Sequence, residues 1–158
     1  MDMNGIEPEH AAELDGLRSV QMMLSTKTTN GIGRTMGFRG TSAEFGRVTM
    51  EGIPTEAYYN PYGTVHGGYA ATLLDAAIGL AVHTTLPPAT GFATVDLKVT
   101  YLRPMTKDSG PVLAEGVVIH SGKRIVVSEA KLVDRNGKLC AHATATCLIF
   151  PSASKELP

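Results

Sequence analysis

In the run Leu73-Leu74-Asp75-Ala76-Ala77-Ile78-Gly79-Leu80 a single carboxylate stands among apolar side chains. An unpaired buried carboxylate costs several kcal/mol or takes up a proton, so Asp75 needs either a partner or a task. It could cap a neighbouring backbone or lie on a narrow exposed stripe; alternatively it is a nucleophile or general base. Upstream lies Asn60-Pro-Tyr-Gly-Thr-Val-His66-Gly67-Gly68, a turn-rich approach that ends where a helix should begin. Bare glycine amides at a helix N-terminus, together with the positive end of the helix dipole, favour a negative oxygen. The amides of Gly67 and Gly68 could therefore polarise a carbonyl, unless the glycines serve only to pack the helix start.

Spacing constrains how these groups cooperate. Asp75 follows His66 by nine residues, half a turn out of phase and about 13 Å along a helix axis. One helix cannot bring both to one carbonyl. Cooperation requires two chains related by a two-fold axis, their helices antiparallel, so the active unit is expected to be at least a dimer.

The elements that must position these residues follow from pattern. From His66 to about His83 no proline intervenes and alanine and leucine dominate, which predicts a helix about 27 Å long. Gly52 to Val65 reads as a long connection, punctuated by Pro54, Pro61 and Gly63. Met36–Gly40 and Phe45–Met50 read as two short strands joined by a polar turn. After Pro87 and Pro88 the period becomes two: Val95, Leu97, Val99 and Tyr101 share one face of a long strand, and Thr94, Asp96, Lys98 and Thr100 share the other. Val112–His120, Ile125–Asp134 and Lys138–Phe150 follow, separated by the turn signals Ser121-Gly122 and Asn136-Gly137, and together these strands predict an antiparallel meander. The small alternating residues Ala141, Ala143, Ala145 and Cys147 should pack closely on the helix. A helix apolar on nearly every side needs cover on nearly every side, which a curved sheet around it supplies. The class is α+β with a central helix. Residues 1–34 form an N-terminal extension with one helix, Glu7–Leu24, and a polar connection; 35–150 form the main domain and 151–158 a tail.

The bulk composition fits one globular domain of 158 residues, with 43% hydrophobic and 18% charged residues. A net charge of −1 argues against the broad basic surface of a nucleic-acid-binding protein. The apolar helix is shorter than the roughly 20 residues of a membrane span and carries a carboxylate at its middle. Met1 to Glu9 lacks the pattern of a secretory signal, so the expected location is cytoplasmic.

Other reactive residues are less telling. Cys140 and Cys147 would lie about 23 Å apart on one strand and cannot pair. They read as buried free thiols, a catalytic cysteine being the alternative. His83 and His142 lack metal-ligand spacing and read as structural, and no metal or other cofactor is expected. Gly31, Gly33 and Gly37 do not form a nucleotide loop, and no G-x-S-x-G occurs. Arg103, Lys123 and Arg124 fall at strand ends or in a hairpin, where they could meet phosphates or simply be solvated turn charges.

The stretch HGGYAATLLD, followed by TVDLKVTYLRP, resembles the hotdog-fold thioesterases of the PaaI type, named for phenylacetyl-CoA metabolism. The resemblance covers about Gly37 to Phe150 and is most specific from Asn60 to Asp75. It implies a long helix wrapped by an antiparallel sheet, a dimer with a continuous sheet, and dimers that usually associate into a homotetramer. It implies an acyl-CoA substrate, coenzyme A being part of the substrate. By resemblance, Gly67 would donate its amide to the thioester oxygen, and Asn60 and His66 would shape that end of the site. Asp75 of the partner subunit would be nucleophile or general base. Thr94 matches a position where relatives place a hydroxyl that holds the attacking water, although period two also permits an outward strand residue. Two other functions share these features: a non-catalytic acyl-CoA-binding regulator, and an enoyl-CoA hydratase or dehydratase on the same fold.

Overall fold

The computed structural model describes residues 14–26, 29 and 31–152. Its helices are α1 (Gly16–Ser25), α2 (Gly31–Met36) and α3 (Gly67–His83), and its strands are β1 (Phe38–Glu44), β2 (Arg47–Gly52), β3 (Thr90–Tyr101), β4 (Val112–Ser121), β5 (Ile125–Val133) and β6 (Leu139–Pro151). Single 3₁₀ turns lie at Glu56–Tyr58 and Lys107–Ser109.

The predicted central helix forms within its expected bounds. His66 caps its start and Thr84 its end, where the Thr84 hydroxyl donates to Ala81 O and accepts the Gly46 amide at 2.7 Å. That bond ties the β1–β2 hairpin tip to the helix C-terminus. Tyr69, Leu73, Leu74, Ala77, Ile78 and Val82 are buried on α3, and all six strands touch it. The sheet is antiparallel throughout, in the order β1-β2-β4-β5-β6-β3, and it curls around the helix. Close approach is enforced at Gly116 of β4, where a Cβ would lie 2.3 Å from Ala77 O. Any larger residue there would push the helix off the sheet.

Four details depart from expectation. The hairpin turn sits at Phe45-Gly46, not in the polar stretch before it, because Gly46 takes a φ of 73° that the turn requires. Phe45 is accordingly exposed at the tip. β4, β5 and β6 form the meander, but β3 crosses to the far edge and pairs with β6. The N-terminal helix begins at Gly16, with Asp15 accepting the Arg18 amide as its cap; residues 7–13 of the expected helix lie outside the described residues. A second short helix, α2, follows where a connection was expected. Val20 of α1 has 0% exposure and belongs to the same core as α3.

Among the described residues no helix is long and apolar enough to cross a membrane.

Candidate active site

The approach to α3 is a set of interlocked turns. Asn60 Oδ1 accepts the amides of Tyr62 (2.9 Å) and Thr64 (3.3 Å), and Asn60 Nδ2 donates to the Thr64 hydroxyl at 2.9 Å. These bonds keep the Asn60 side chain within its own loop, so it fixes the path of the chain into the helix. His66 Nδ1 accepts the Gly68 amide at 2.8 Å. The acceptor role of Nδ1 assigns the neutral ring's proton to Nε2, on an exposed side chain. The Gly68 amide, expected as a second donor to a carbonyl, is thereby occupied. The Gly67 amide has no acceptor among the described residues. Tyr101 from the end of β3 lies against the other side of this residue: the phenol donates to Gly67 O at 3.0 Å, and a Cβ on Gly67 would lie 3.0 Å from the ring.

Asp75 lies two turns further along α3, half-buried. Its Oδ1 accepts the Thr94 hydroxyl at 3.1 Å. Strict alternation would turn Thr94 away from the helix, but the β3–β6 register slips between Thr94 and Asp96. Val95 is the extra residue of this bulge and is 56% exposed. The bulge places Phe92 and Thr94 on the same side as Leu97 and Val99, facing α3. Behind Thr94, the sulfur of the fully buried Cys147 lies 3.9 Å from Thr94 Oγ1. Burial pushes the Cys147 thiol pKa up, so it stays protonated and can donate to the threonine, which leaves the threonine proton for Asp75. Burial likewise raises the Cys140 pKa. Neither thiol has the lowered pKa that a catalytic cysteine needs.

Asp75 and Thr94 line a cavity of about 410 Å³ whose remaining lining is mainly apolar, including Phe38, Met50, Gly79, Leu80 and Phe92. The Gly67 end opens into a separate groove of about 400 Å³ formed with Ala70, Tyr101 and Arg103. Gly67 and Asp75 are eight residues apart, about 12 Å along the axis. β3 joins the two places, touching Asp75 through Thr94 and Gly67 through Tyr101.

The basic candidates also divide between these ends. Arg103 is exposed, donates to Leu139 O at 2.9 Å and lines the Gly67 groove. Lys123 and Arg124 are exposed in the β4–β5 hairpin, whose Ile125 pairs with Leu148, itself opposite Ala93 at the Thr94 end of β3. Within one chain these two basic groups lie about 25 Å apart along the sheet and cannot share a ligand's phosphate. His142 pairs with Glu129 at 3.2 Å, and His83 packs beside Phe92 with its pKa lowered by burial.

A model of the Thioesterase superfamily matches residues 62–141, just over half of the chain. The chain belongs to that superfamily. The match spans Gly67, Asp75, Thr94 and Tyr101, and so includes both halves of the site. Among relatives, an archaeal protein of Halobacterium salinarum named as an esterase is 47% identical over 45% of this chain and 46% of its own length. This chain thus spans about half of that relative. The human acyl-coenzyme A thioesterase 13 is 33% identical over 66% of this chain and 74% of its own. A solved phenylacetic acid degradation-related thioesterase of Ralstonia eutropha superposes with a TM-score of 0.73 at 26% identity, covering 82% of this chain and 98% of that one. The thioesterase-superfamily architecture, a curved sheet around a long helix, is the hotdog fold expected above.

The expected site residues therefore fall into two groups: Asn60, His66, Gly67, Gly68 and Arg103 around the helix start, and Asp75 with Thr94 at its middle, nearest to Lys123 and Arg124. Three neighbours escape sequence reading. Tyr101 appears only as a strand residue, Cys147 as an inert thiol and Phe92 not at all. Only the bulge at Val95 brings Phe92 and Thr94 to the site, and no residue type marks it.

Proposed function

We propose that this protein is an acyl-CoA thioesterase whose site is completed by two copies of the chain. The observation that carries the reading is the division of one reaction centre along β3. A carboxylate oriented by Thr94 stands at one end and an unengaged helix-terminal amide, that of Gly67, at the other. β3 is a sheet edge with Val95 and Tyr101 exposed, so it is suited to pair with the same edge of a second copy. Antiparallel pairing centred on Lys98, with Val95 bulged out, would set Thr94 opposite the partner's Tyr101, and hence Asp75 beside the partner's Gly67. The same two-fold would bring Lys123 and Arg124 toward the partner's Arg103, gathering positive charge for the phosphates of coenzyme A.

In this site the thioester oxygen accepts the Gly67 amide of one subunit, which stabilises negative charge as the carbonyl becomes tetrahedral. Asp75 of the other subunit either attacks the carbonyl carbon or removes a proton from a water that does so. Collapse breaks the carbon–sulfur bond and releases the thiolate of coenzyme A, whose low basicity requires little acid assistance. The other product is the carboxylic acid; if Asp75 attacks first, water then hydrolyses the acyl–aspartyl anhydride. The PaaI-type resemblance favours aromatic or medium-chain acyl groups and a homotetramer of two such dimers, and the phenylacetic acid link in the Ralstonia relative's name agrees with an aromatic group.

Purified protein incubated with a panel of acyl-CoA esters should release free thiol, with no enoyl product. Binding without thiol release would instead identify a regulator, and enoyl formation a hydratase.

A further inference from the structure

The N-terminal extension forms part of the wall of the cavity at Asp75. α1 is fastened at both ends. At its start Gly16 N donates to Leu86 O at 2.9 Å, and a Cβ on Gly16 would lie 1.7 Å from His83 O, so the helix rests directly on the end of α3. At its other end Leu24 packs on the β1 backbone, where a Cβ on Gly40 would come within 2.8 Å of its side chain. Val20 is buried between these points, and Gln21 Nε2 donates to Ala43 O at 3.2 Å. So anchored, α1 and α2 present Met23, Leu24 and Ile32 to the cavity. On α3, Gly79 stands about one turn beyond Asp75 and contributes no side chain to the space; a Cβ there would lie 3.3 Å from the Phe92 ring.

We propose that the N-terminal extension is the chain-length ruler of the site. An unbranched, medium-length acyl chain passes Asp75 and Thr94, runs over Gly79 and ends against Met23, Leu24 and Ile32. This inference rests on the thioesterase reading. The lining favours an alkyl chain because, beyond Asp75 and Thr94, the polar groups are Thr29 and Arg39, and Arg39 is already paired with Glu51 at 3.1 Å. The volume of about 410 Å³ holds roughly a dozen groups of about 30 Å³ each, the space of a water molecule and close to that of a methylene. Longer chains must displace the extension or leave their ends in solvent.

The test uses full-length wild type, Leu24→Ala and Gly79→Ala with straight-chain acyl-CoAs from acetyl to palmitoyl, reading kcat/KM by thiol release. In the wild type kcat/KM should rise about fourfold per added methylene up to medium length, then stop rising. Leu24→Ala should move that limit to longer chains by about two carbons. Gly79→Ala, which substitutes a better helix former, should lower the ratio of medium-chain to acetyl kcat/KM at least tenfold. The ruler is overturned if either variant, with a cooperative thermal melt, keeps the wild-type chain-length profile. Failure of the wild type to release thiol from any ester would overturn the thioesterase reading itself, and the ruler with it.

Discussion

The two ends of the site are built by different physics. At the Gly67 end, short polar contacts do the positioning: Asn60 closes its loop with three side-chain bonds, His66 occupies the Gly68 amide, and Tyr101 lies over Gly67. At the Asp75 end one hydrogen bond from Thr94 orients the carboxylate, and the surroundings are apolar. The first arrangement leaves one backbone donor free in a rigid frame, as preorganised stabilisation of an oxyanion requires. The second places a half-buried carboxyl group beside an apolar cavity in which a nonpolar substrate group can fit. Among the described residues Asp75 has no ion pair; its half-exposed position and the Thr94 hydroxyl let the apolar helix carry the carboxylate.

The contrast can be broken at either end. The largest effect should come from Asp75→Asn, which removes the nucleophile or base while keeping the shape; kcat for the best acyl-CoA should fall about 10²–10⁴-fold, and near wild-type turnover would refute its role. Gly67→Pro should follow. Proline suits the first position of a helix and the extended conformation of His66, yet it deletes the amide proton. The Tyr101 ring must shift to admit the proline ring. A loss of about 10²–10³-fold, mainly in kcat, is expected, and a change confined to KM would show that the amide binds without stabilising the transition state. Thr94→Val removes only the hydroxyl that orients Asp75 and should cost about tenfold or somewhat more, the range for a hydrogen bond to a charged group.

The smallest effect concerns stability at the cavity wall, where His83 packs on Phe92. Burial lowers the pKa of His83 below its ordinary value of 6.5, so the unfolded chain binds its proton at higher pH than the folded one. Its effect on stability is therefore absent above about pH 7 and grows as pH falls through 6.5 toward the folded value. Between pH 7.5 and 5.5 the Tm of His83→Gln should drop less than that of the wild type, by a few degrees at most. Equal drops would show that His83 bears no such linkage.

The same division governs what is legible in the sequence. The Gly67 end is readable because turn chemistry is local: Asn60-Pro61, Gly63 and the glycine pair announce a tight approach and a helix start. Asp75 is readable as a charge out of place. The half-turn between it and His66 points to a second chain through helix geometry alone. The surroundings of Asp75 are not readable, since they depend on contacts distant in sequence. Thr94 reaches the carboxylate through a bulge that inverts the period-two pattern without a glycine or proline to mark it. Met23 and Leu24 reach the cavity because α1 docks on β1 and on the end of α3, contacts that its own sequence does not encode. The turn at Phe45-Gly46 is missed for a simpler reason: the polar residues Thr41 to Glu44 resemble a turn but lie on an exposed strand.

The central claim, that the two halves work only across a pair of chains, is most directly tested by mixing two inactive variants. Dimers of Asp75→Asn with Gly67→Pro contain one site with both defects and one site with neither. Co-refolded at equal amounts, with random pairing, the mixture should regain roughly a quarter of wild-type activity per chain. Activity that stays at the mean of the two parent variants, despite verified mixed dimers, would contradict a site shared between subunits.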